Sequence, residues 1–182
     1  MNLTKQGTIL SVVKINNRTF EVAIKVSEDF EFIAGQYIWL CIPKLKYKDP
    51  KGNTRMFSIA SSPNLKGELQ IVFRAGLSGY KKTLVEMKPG EGVQFSGPYG
   101  SLSLPNNISQ QIILVAGGIG VAPFASMIRY SAENKTGHKI SLIYADTVEK
   151  EMTYLNEFRQ IEKDNSNFKL SCILGKLKEI KL

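Results

Sequence analysis

The sequence has little of the material from which metal, disulfide-bonded and membrane proteins are built. Only two cysteines and one histidine occur among 182 residues, and Cys41 and Cys172 stand far apart in apolar segments. Because no cluster exists, we predict free buried thiols in a reducing compartment and no metal site. The longest apolar run, 112–123, is too short and too rich in glycine to span a bilayer. The N-terminus lacks a signal-peptide pattern, so we predict a cytoplasmic protein with no membrane span.

The charge of the chain is biased towards basic residues. Lysine and arginine number 24 against 16 acidic residues, for a formal net charge of +8. A solvated loop explains a local lysine cluster, and steering of an acidic partner or of nucleotide phosphates explains it equally well. We expect no nucleic-acid partner, because no recognised binding motif accompanies the basic residues. The lysines of this cluster, hereafter the lysine loop, are Lys44, Lys46, Lys48 and Lys51.

The first half of the chain consists of short runs rich in β-branched and aromatic residues, separated by turn residues. Several runs alternate apolar and polar positions, as strands with one buried face do. Many short strands with turns at this spacing favour a small closed antiparallel barrel. One helix, Tyr80–Met87, interrupts them and ends at a Lys-Pro-Gly turn. The predicted strands are Gly7–Val13, Thr19–Val26, Tyr37–Ile42, Met56–Ile59, Leu69–Phe73 and Val93–Phe95.

After Gly100 the pattern changes to longer apolar runs that alternate with helical segments. Uninterrupted apolar strands are typical of parallel sheets buried on both faces, and strand–helix alternation predicts an α/β unit. We place the boundary at a Pro-Asn-Asn linker and predict two domains, 1–105 and 109–182. The predicted elements are the strands Gln110–Ala116, Lys139–Ala145 and Phe168–Leu174 and the helices Val121–Glu133 and Lys150–Glu162.

A glycine-rich turn, Gly117–Pro123, comes directly after a predicted strand and opens a predicted helix. Glycines there allow the backbone to approach a pyrophosphate closely, and a helix N-terminus presents free N–H groups to the anion. Pro123 fits the first helical turn, where its missing donor is not needed. A tight turn without a ligand remains the alternative for this segment alone.

A second motif, 55–63, reads Arg-Met-Phe-Ser-Ile-Ala-Ser-Ser-Pro. Alternate residues of a strand share a face, so Arg55 and Phe57 point together and Ser58 points the other way. A flavin site needs a cation for phosphate, an apolar surface for the ring and a small polar group near the reactive nitrogen. Arginine suits phosphate because its planar fork binds two oxygens. An exposed arginine beside a core phenylalanine is the alternative for this segment alone.

The two motifs occur in order, about 60 residues apart, and together they resemble the ferredoxin–NADP⁺ reductase family over nearly the whole chain. Segment 55–63 is similar to the family's Arg-x-Tyr-Ser flavin signature, and segment 35–40 to the strand that precedes it. Segments 72–74 and 78–84 resemble the part that surrounds the flavin pyrophosphate. Segment 88–100 resembles the last barrel strand, and 117–123 resembles the nicotinamide-nucleotide turn.

The resemblance implies a Greek-key flavin-binding barrel followed by a nucleotide-binding α/β domain, and it gives roles to individual residues. It implies that Arg55 binds the flavin pyrophosphate, that Phe57 lies against the isoalloxazine ring and that Ser58 hydrogen-bonds near N5. Phe57 and Ser58 are therefore the predicted catalytic positions. The predicted cofactor-binding residues are Arg55, Met56, Phe57, Ser58, Val72, Phe73, Arg74, Ser78, Gly79, Tyr80, Lys81, Gly117, Gly118, Gly120 and Pro123.

The same resemblance implies FAD as cofactor and NADH or NADPH as substrate. Electrons would pass to an acidic carrier protein such as ferredoxin or flavodoxin, or to a partner iron–sulfur domain. Two alternatives stay open: a flavin-binding relay or binding module that has lost efficient hydride exchange, and a fragment of a longer reductase.

Two departures from the family pattern qualify these expectations. Phe57 replaces the usual tyrosine, which keeps a stacking face and loses a hydroxyl. The family continues past the third parallel strand by roughly two βα units of some 30 residues each, so we expect a shortened second domain with an open sheet edge. Ribose contacts would be expected near Asp146, Thr147 and Lys150, and the sequence does not choose between NADH and NADPH.

Overall fold

Alternating apolar residues in the first half of the chain form strands that bury one face in a common core. The computed structural model describes residues 5–175. Residues such as Ile24, Ile38, Ile71 and Val93 are fully buried, as expected where every second side chain of a strand points inward. The six strands are β1 (Lys5–Lys14), β2 (Thr19–Lys25), β3 (Tyr37–Cys41), β4 (Thr54–Ser58), β5 (Glu68–Arg74) and β6 (Gly92–Tyr99).

These strands form one antiparallel sheet in the order β4-β3-β6-β1-β2-β5. The sheet is barrel-like but is not closed, so the prediction of a closed barrel was wrong in this respect. Its edge strands β4 and β5 meet at one bridge, between Ile59 and Ile71. Before the bridge, the rings of Phe57 and Phe73 from the two strands pack edge to face at 6.1 Å. Side chains rather than a continuous ladder fill the gap.

The helix α1 (Gly79–Glu86) packs onto the barrel-like sheet. Tyr80 and Leu84 are fully buried in the core of the sheet, and the Tyr80 hydroxyl donates a hydrogen bond to the Leu40 carbonyl at 2.9 Å. This bond satisfies a polar atom that would otherwise be costly to bury. The packing fixes the position of the helix N-terminus, where the first predicted site lies.

The second half of the described chain forms a three-stranded parallel sheet, in the order β7-β8-β9. Alternate residues such as Leu114, Leu142 and Tyr144 pack with the helices in a separate core. The opposite face is open, since Ile113 and Val115 are 63% and 67% exposed. The two-domain fold is as predicted. Its elements are β7 (Gln111–Gly117), α2 (Ala122–Glu133), β8 (Lys139–Asp146), α3 (Leu155–Asp164) and β9 (Phe168–Leu174).

The helix predicted at 150–162 begins later than expected. A short 3₁₀ turn occupies Glu149–Glu151, and α3 begins only at Leu155. Tyr154 stands just before it in the left-handed region, at φ 63°, which an α-helix does not tolerate. The Thr153 N–H donates to the Tyr144 hydroxyl at 2.8 Å. A side chain from β8 therefore takes the donor that a longer helix would have used.

Two further expectations concern exposure and extent. Cys41 is buried as predicted, but Cys172 is exposed, because β9 is an edge strand of the described sheet and most of its side chains are uncovered. The predicted domain limits, 1–105 and 109–182, stay a prediction, and residues 1–4 and 176–182 lie outside the described residues. Among residues 5–175, no helix has the length and apolar character needed to cross a bilayer.

Candidate functional site

The N-terminus of α1 lies tightly against the lysine loop. Ser78 caps the helix, and its hydroxyl accepts a hydrogen bond from the Lys81 N–H at 3.2 Å. A Cβ atom at Gly79 would lie 2.3 Å from the Lys48 carbonyl oxygen, so only glycine allows this approach. The Thr83 hydroxyl accepts the Lys46 N–H at 3.1 Å. The backbone of the lysine loop is thus fixed to the helix.

Asp49 organises the centre of this contact. Its side chain is buried and accepts the N–H groups of Tyr80 and Lys51, each at 2.9 Å. A carboxylate oxygen also lies 2.7 Å from the Arg55 guanidinium. The Tyr80 N–H first, and then the Lys51 N–H and Arg55, hold the pKa of Asp49 below its ordinary value. Asp49 is therefore a carboxylate held between a helix N-terminus and a cation.

Arg55 and Lys81 are two cations close to the start of α1, and Arg55 is the one in contact with Asp49. The Arg55 guanidinium donates to the carbonyls of Lys51 and Gly52 at 2.9 and 3.0 Å and lies 5.0 Å from the centre of the Tyr80 ring. Burial, and then the charge of Arg55, lowers the pKa of Lys81. Within the described residues Lys81 forms no ion pair. Two cations balanced by one internal carboxylate make a local excess of positive charge that suits a phosphate group.

The strand β4 divides the predicted flavin residues between its two faces. Phe57 faces the barrel core and is 8% exposed, and its ring stacks on Tyr80 with centroids 6.1 Å apart. Met56 and Ser58 face the other side, where Met56 is 55% exposed. Ser58 pairs with Tyr37 in the ladder. The alternation agrees with the predicted split between Phe57 and Ser58, and the ring of Phe57 is largely covered by protein side chains.

The next strand, β5, places its three predicted residues in three different surroundings. Val72 packs with Ala60 and Ala122 between the two domains, and Phe73 lies in the barrel core. Arg74 reaches across the interface and forms an ion pair with Asp146 of β8 at 2.5 Å. The contacts of its guanidinium are with the nucleotide-binding domain. The Arg74 Nε is buried and has no hydrogen-bond partner among the described residues.

The glycine turn follows β7 as a 3₁₀ turn over Gly118–Val121, and α2 begins at Ala122 with Pro123 in its first turn. No described side chain caps the 3₁₀ turn or α2. The Ala122 N–H donates to the Ile119 carbonyl and Pro123 has no N–H, so an anion would meet the start of the 3₁₀ turn rather than that of α2. Gly118 has φ 51°, and a Cβ atom there would lie 2.7 Å from Arg74. Neither restraint applies to Gly120. The turn therefore favours glycine at 118, and Arg74 covers that position.

Polar contacts across the domain interface hold the two sites in one arrangement. The Arg129 guanidinium of α2 donates to the Ala60 carbonyl at 2.7 Å and pairs with both carboxylate oxygens of Glu157. It also lies 4.3 Å from the centre of the Tyr154 ring, whose hydroxyl donates to Glu21 of β2 at 2.5 Å. A planar guanidinium suits such a bidentate and stacked contact better than an ammonium group.

Sequence reasoning missed Asp49 and Arg129 as parts of the site. Asp49 stands in an Asp-Pro-Lys-Gly stretch inside the lysine loop, where its charge is outnumbered. The one local signal is that aspartate two residues before a backbone donor favours a turn, as the Lys51 N–H contact shows. Nothing in the sequence around Arg129 indicates that it meets residues about 70 positions away.

Comparison with known proteins gives the family. Residues 6–104 match the family model described as an oxidoreductase FAD-binding domain, and residues 114–177 match the oxidoreductase NAD-binding domain. The first match covers more than half of the chain. The chain belongs to this family of FAD- and NAD-binding oxidoreductases. The resemblance to the ferredoxin–NADP⁺ reductase family is thereby confirmed, as are the predicted classes of cofactor and nucleotide.

Similar proteins are components of oxygenase systems. The chain is 29% identical over 166 residues to the phenol hydroxylase P5 protein of Acinetobacter pittii, covering 90% of this chain and 45% of that protein. It is 28% identical over 174 residues to the toluate 1,2-dioxygenase electron transfer component of Pseudomonas putida, covering 93% and 49%. The chain therefore spans about half the length of the curated relatives it matches.

Solved structures share the fold at lower identity. The cytochrome P450 reductase GcoB of Amycolatopsis matches with a TM-score of 0.79 and 23% identity, covering 93% of this chain and 51% of that one. The ferredoxin–NADP⁺ reductase of Plasmodium falciparum matches with a TM-score of 0.79 and 19% identity, covering 93% and 69%. These structures confirm the two-domain architecture.

Proposed function

We propose that this chain is the flavin and nucleotide module of a reductase that moves electrons between NAD(P)H and a protein acceptor through FAD. The observation that carries the proposal is the pair of cations at the start of α1, Arg55 and Lys81, in a domain of the FAD-binding family. Two positive charges with one internal counter-charge favour a pyrophosphate at that position.

The residues around α1 fit the phosphate part of FAD. Arg55 offers its charge and its remaining N–H groups to the phosphate oxygens, and Lys81 adds a point charge. Ser78 and Gly79 begin the helix beside these two cations. Ser58, on the outer face of β4, is the side chain proposed to meet the reactive edge of the ring, beside the exposed Met56. When bound, FAD supplies the exchange between two-electron chemistry with NAD(P)H and one-electron chemistry with a carrier.

The glycine turn and α2 are the proposed site for the nicotinamide nucleotide. The 3₁₀ turn before α2 has no side-chain cap, and Gly118 within it allows a close backbone approach. We assign Arg74 to this site rather than to the flavin phosphates, because its contacts are with Asp146 and the face of Gly118. In this assignment Arg74 holds the nucleotide at the junction of the two domains.

The proposed acceptor is an acidic protein or a partner iron–sulfur domain. Lys44, Lys48 and Lys51 of the lysine loop are exposed, whereas Lys46 pairs with Glu86 of α1. The relatives include an electron transfer component, and one matching structure is described as passing electrons from pyridine nucleotides to a [2Fe-2S] group. Free thiols at Cys41 and Cys172 agree with the proposed cytoplasmic location.

A visible absorption spectrum tests the proposal. The purified chain is reconstituted with FAD and then mixed anaerobically with NADH and, separately, with NADPH. We expect a bound flavin band that bleaches with at least one of the two nucleotides. A protein that acquires no flavin band after addition of FAD contradicts the proposal.

A second function is favoured by the position of Arg74. Its guanidinium already covers Gly118 and pairs with Asp146, which obstructs the turn unless the ion pair opens. The chain could then serve as a flavin-binding relay module without hydride exchange. The same spectrum separates the two functions, since a bound flavin band that persists with both nucleotides, and bleaches with dithionite, indicates the relay module.

A further inference from the structure

Asp49 lies at the point where the lysine loop, β4 and α1 meet. Its side chain is 1% exposed, and a carboxylate is rarely buried to that extent without a partner. It accepts hydrogen bonds from the N–H groups of Tyr80 and Lys51 and forms an ion pair with the Arg55 guanidinium. The carboxylate thus satisfies the Tyr80 N–H at the start of α1 and one side of the Arg55 guanidinium.

A second nitrogen of the Arg55 guanidinium is held by backbone carbonyls, so the orientation of the group is determined from more than one side. One guanidinium nitrogen donates to the carbonyls of Lys51, Gly52 and Thr54. The other lies 2.7 Å from Asp49, and the plane of the group lies over the Tyr80 ring. A long flexible side chain loses substantial rotamer entropy when it binds a ligand. Here much of that ordering is already present before a ligand arrives.

We propose that Asp49 is a positioning residue that holds the Arg55 guanidinium in the orientation in which it meets the flavin phosphate. The inference rests on the proposed FAD site and adds a residue that the flavin motif does not contain. Asp49 acts through Arg55 and touches no phosphate itself. Its second contact, in which it accepts the Tyr80 N–H, fixes the start of α1 relative to the Arg55 guanidinium.

The test combines two substitutions of Asp49 with one of Arg55. Asp49→Asn and Asp49→Ser each keep an acceptor for the backbone N–H groups and remove the charge that pairs with Arg55. Affinities for FAD and for riboflavin, which has no phosphate, are measured by fluorescence titration. We expect FAD affinity to fall about tenfold, the effect of weakening one charged hydrogen bond, and riboflavin affinity to stay unchanged.

The double variant with Arg55→Ala separates positioning from general stability. Because Asp49 acts through Arg55, replacing it in the Arg55→Ala background should have no further effect on FAD affinity. An equal loss in both backgrounds, or an equal loss for riboflavin, overturns the inference. Asp29→Asn, which changes an exposed acid of the same domain, is the matched control and should bind FAD as the parent does.

A measurement without flavin keeps this inference separate from the proposed function. The guanidinium protons of Arg55 are followed by NMR in the parent protein and in both Asp49 variants. We expect slow exchange in the parent and fast exchange in the variants. Fast exchange in the parent overturns the positioning role, even if both variants fail to fold. Slow exchange in a parent that binds no FAD supports the arrangement of Asp49 and Arg55 but contradicts the proposed flavin site.

Discussion

The two domains organise their candidate sites in different ways. In the barrel-like domain, Arg55 is held by Asp49 and Tyr80 from the same domain. In the nucleotide-binding domain, the glycine turn at Gly118 is covered by Arg74 from the other domain. The first site therefore lies within one domain, while the second is completed across an interface. Changes at the first should remain local, whereas changes at the second should involve both domains.

The two sheets also differ in how completely each one buries its own core. The six-stranded sheet wraps around its core, and side chains such as Ile24 and Leu40 are fully buried. The three-stranded sheet is covered by α2 and α3 on one face only, which leaves Ile113 and Val115 exposed. Apolar burial supplies about 25 cal/mol per Å², so the second domain gains less from its own core. We expect it to depend more on contacts such as those of Arg129.

The largest effect is expected at Arg55. Arg55→Ala removes a charge-assisted contact with phosphate, so FAD binding should weaken by about 1.5–3 kcal/mol. Arg55→Lys should recover part of the loss, because lysine supplies the charge without the fork. Equilibrium titration of the FAD-free protein measures both variants.

The matched control for this prediction lies in the other domain. Arg159 is half-exposed and pairs with Glu149 at 2.6 Å, so Arg159→Ala also removes an arginine from an ion pair. It should leave FAD affinity unchanged, since exposed pairs contribute little and the residue belongs to α3. Equal losses in the two variants would mean that FAD responds to net charge and not to a specific site.

The next effect is expected at Tyr144, which joins the glycine turn to the segment before α3. Its hydroxyl donates to the Gly118 carbonyl at 3.1 Å and accepts the Thr153 N–H at 2.8 Å. Tyr144→Phe leaves these groups without that partner and should lower the free energy of unfolding by about 1–3 kcal/mol. Chemical denaturation measures the change. Tyr99→Phe is the control, because Tyr99 is 38% exposed and should unfold like the parent.

The same hydroxyl gives a prediction about pH. Burial raises the pKa of Tyr144 from 10.0 to about 12. Between these two values the unfolded chain releases the phenolic proton while the folded chain keeps it, so stability falls as the pH rises. Tyr144→Phe removes the part of the loss of stability at alkaline pH that comes from this hydroxyl. The slope of unfolding free energy against pH above 10 should be shallower in the variant, and identical slopes would contradict the assignment.

Sequence patterns predicted the features that depend on neighbouring residues. Period-two alternation located the barrel strands, and the glycines between an apolar run and a helical pattern located the turn before α2. The patterns failed where distant residues decide the structure. The start of α3 was misplaced because Tyr144, nine residues before Thr153, takes the Thr153 N–H. The flavin role of Arg74 stays a prediction, and its motif did not indicate the ion pair with Asp146, 72 positions away.

A smaller effect is expected on nucleotide binding, and it should differ between two glycines of the same turn. Gly118→Ala forces an alanine into the left-handed region, which costs about 1–2 kcal/mol, and places its Cβ against Arg74. Gly120→Ala meets no atom within 4 Å and no unusual φ. We expect slower reduction of bound flavin by NAD(P)H in the first variant only, measured by stopped flow. Flavin content should match the parent in both, because the barrel site is self-contained.

The smallest effect is expected from the exposed lysines, and it tests whether the barrel-like domain also supplies the surface for the acceptor. Replacing Lys44, Lys48 and Lys51 by glutamine should slow electron transfer to an acidic carrier such as ferredoxin roughly tenfold at low ionic strength, because steering by charge acts on the association rate. At 1 M salt the Debye length falls to about 3 Å and the difference should vanish.

A control with the same loss of charge replaces three exposed lysines of the nucleotide-binding domain, Lys135, Lys163 and Lys169. If the control slows transfer equally, the carrier responds to the net charge of +8 and the lysine loop has no special role. If only the loop variant is slow, the acceptor approaches the barrel beside α1, on the domain that holds Arg55 and Asp49.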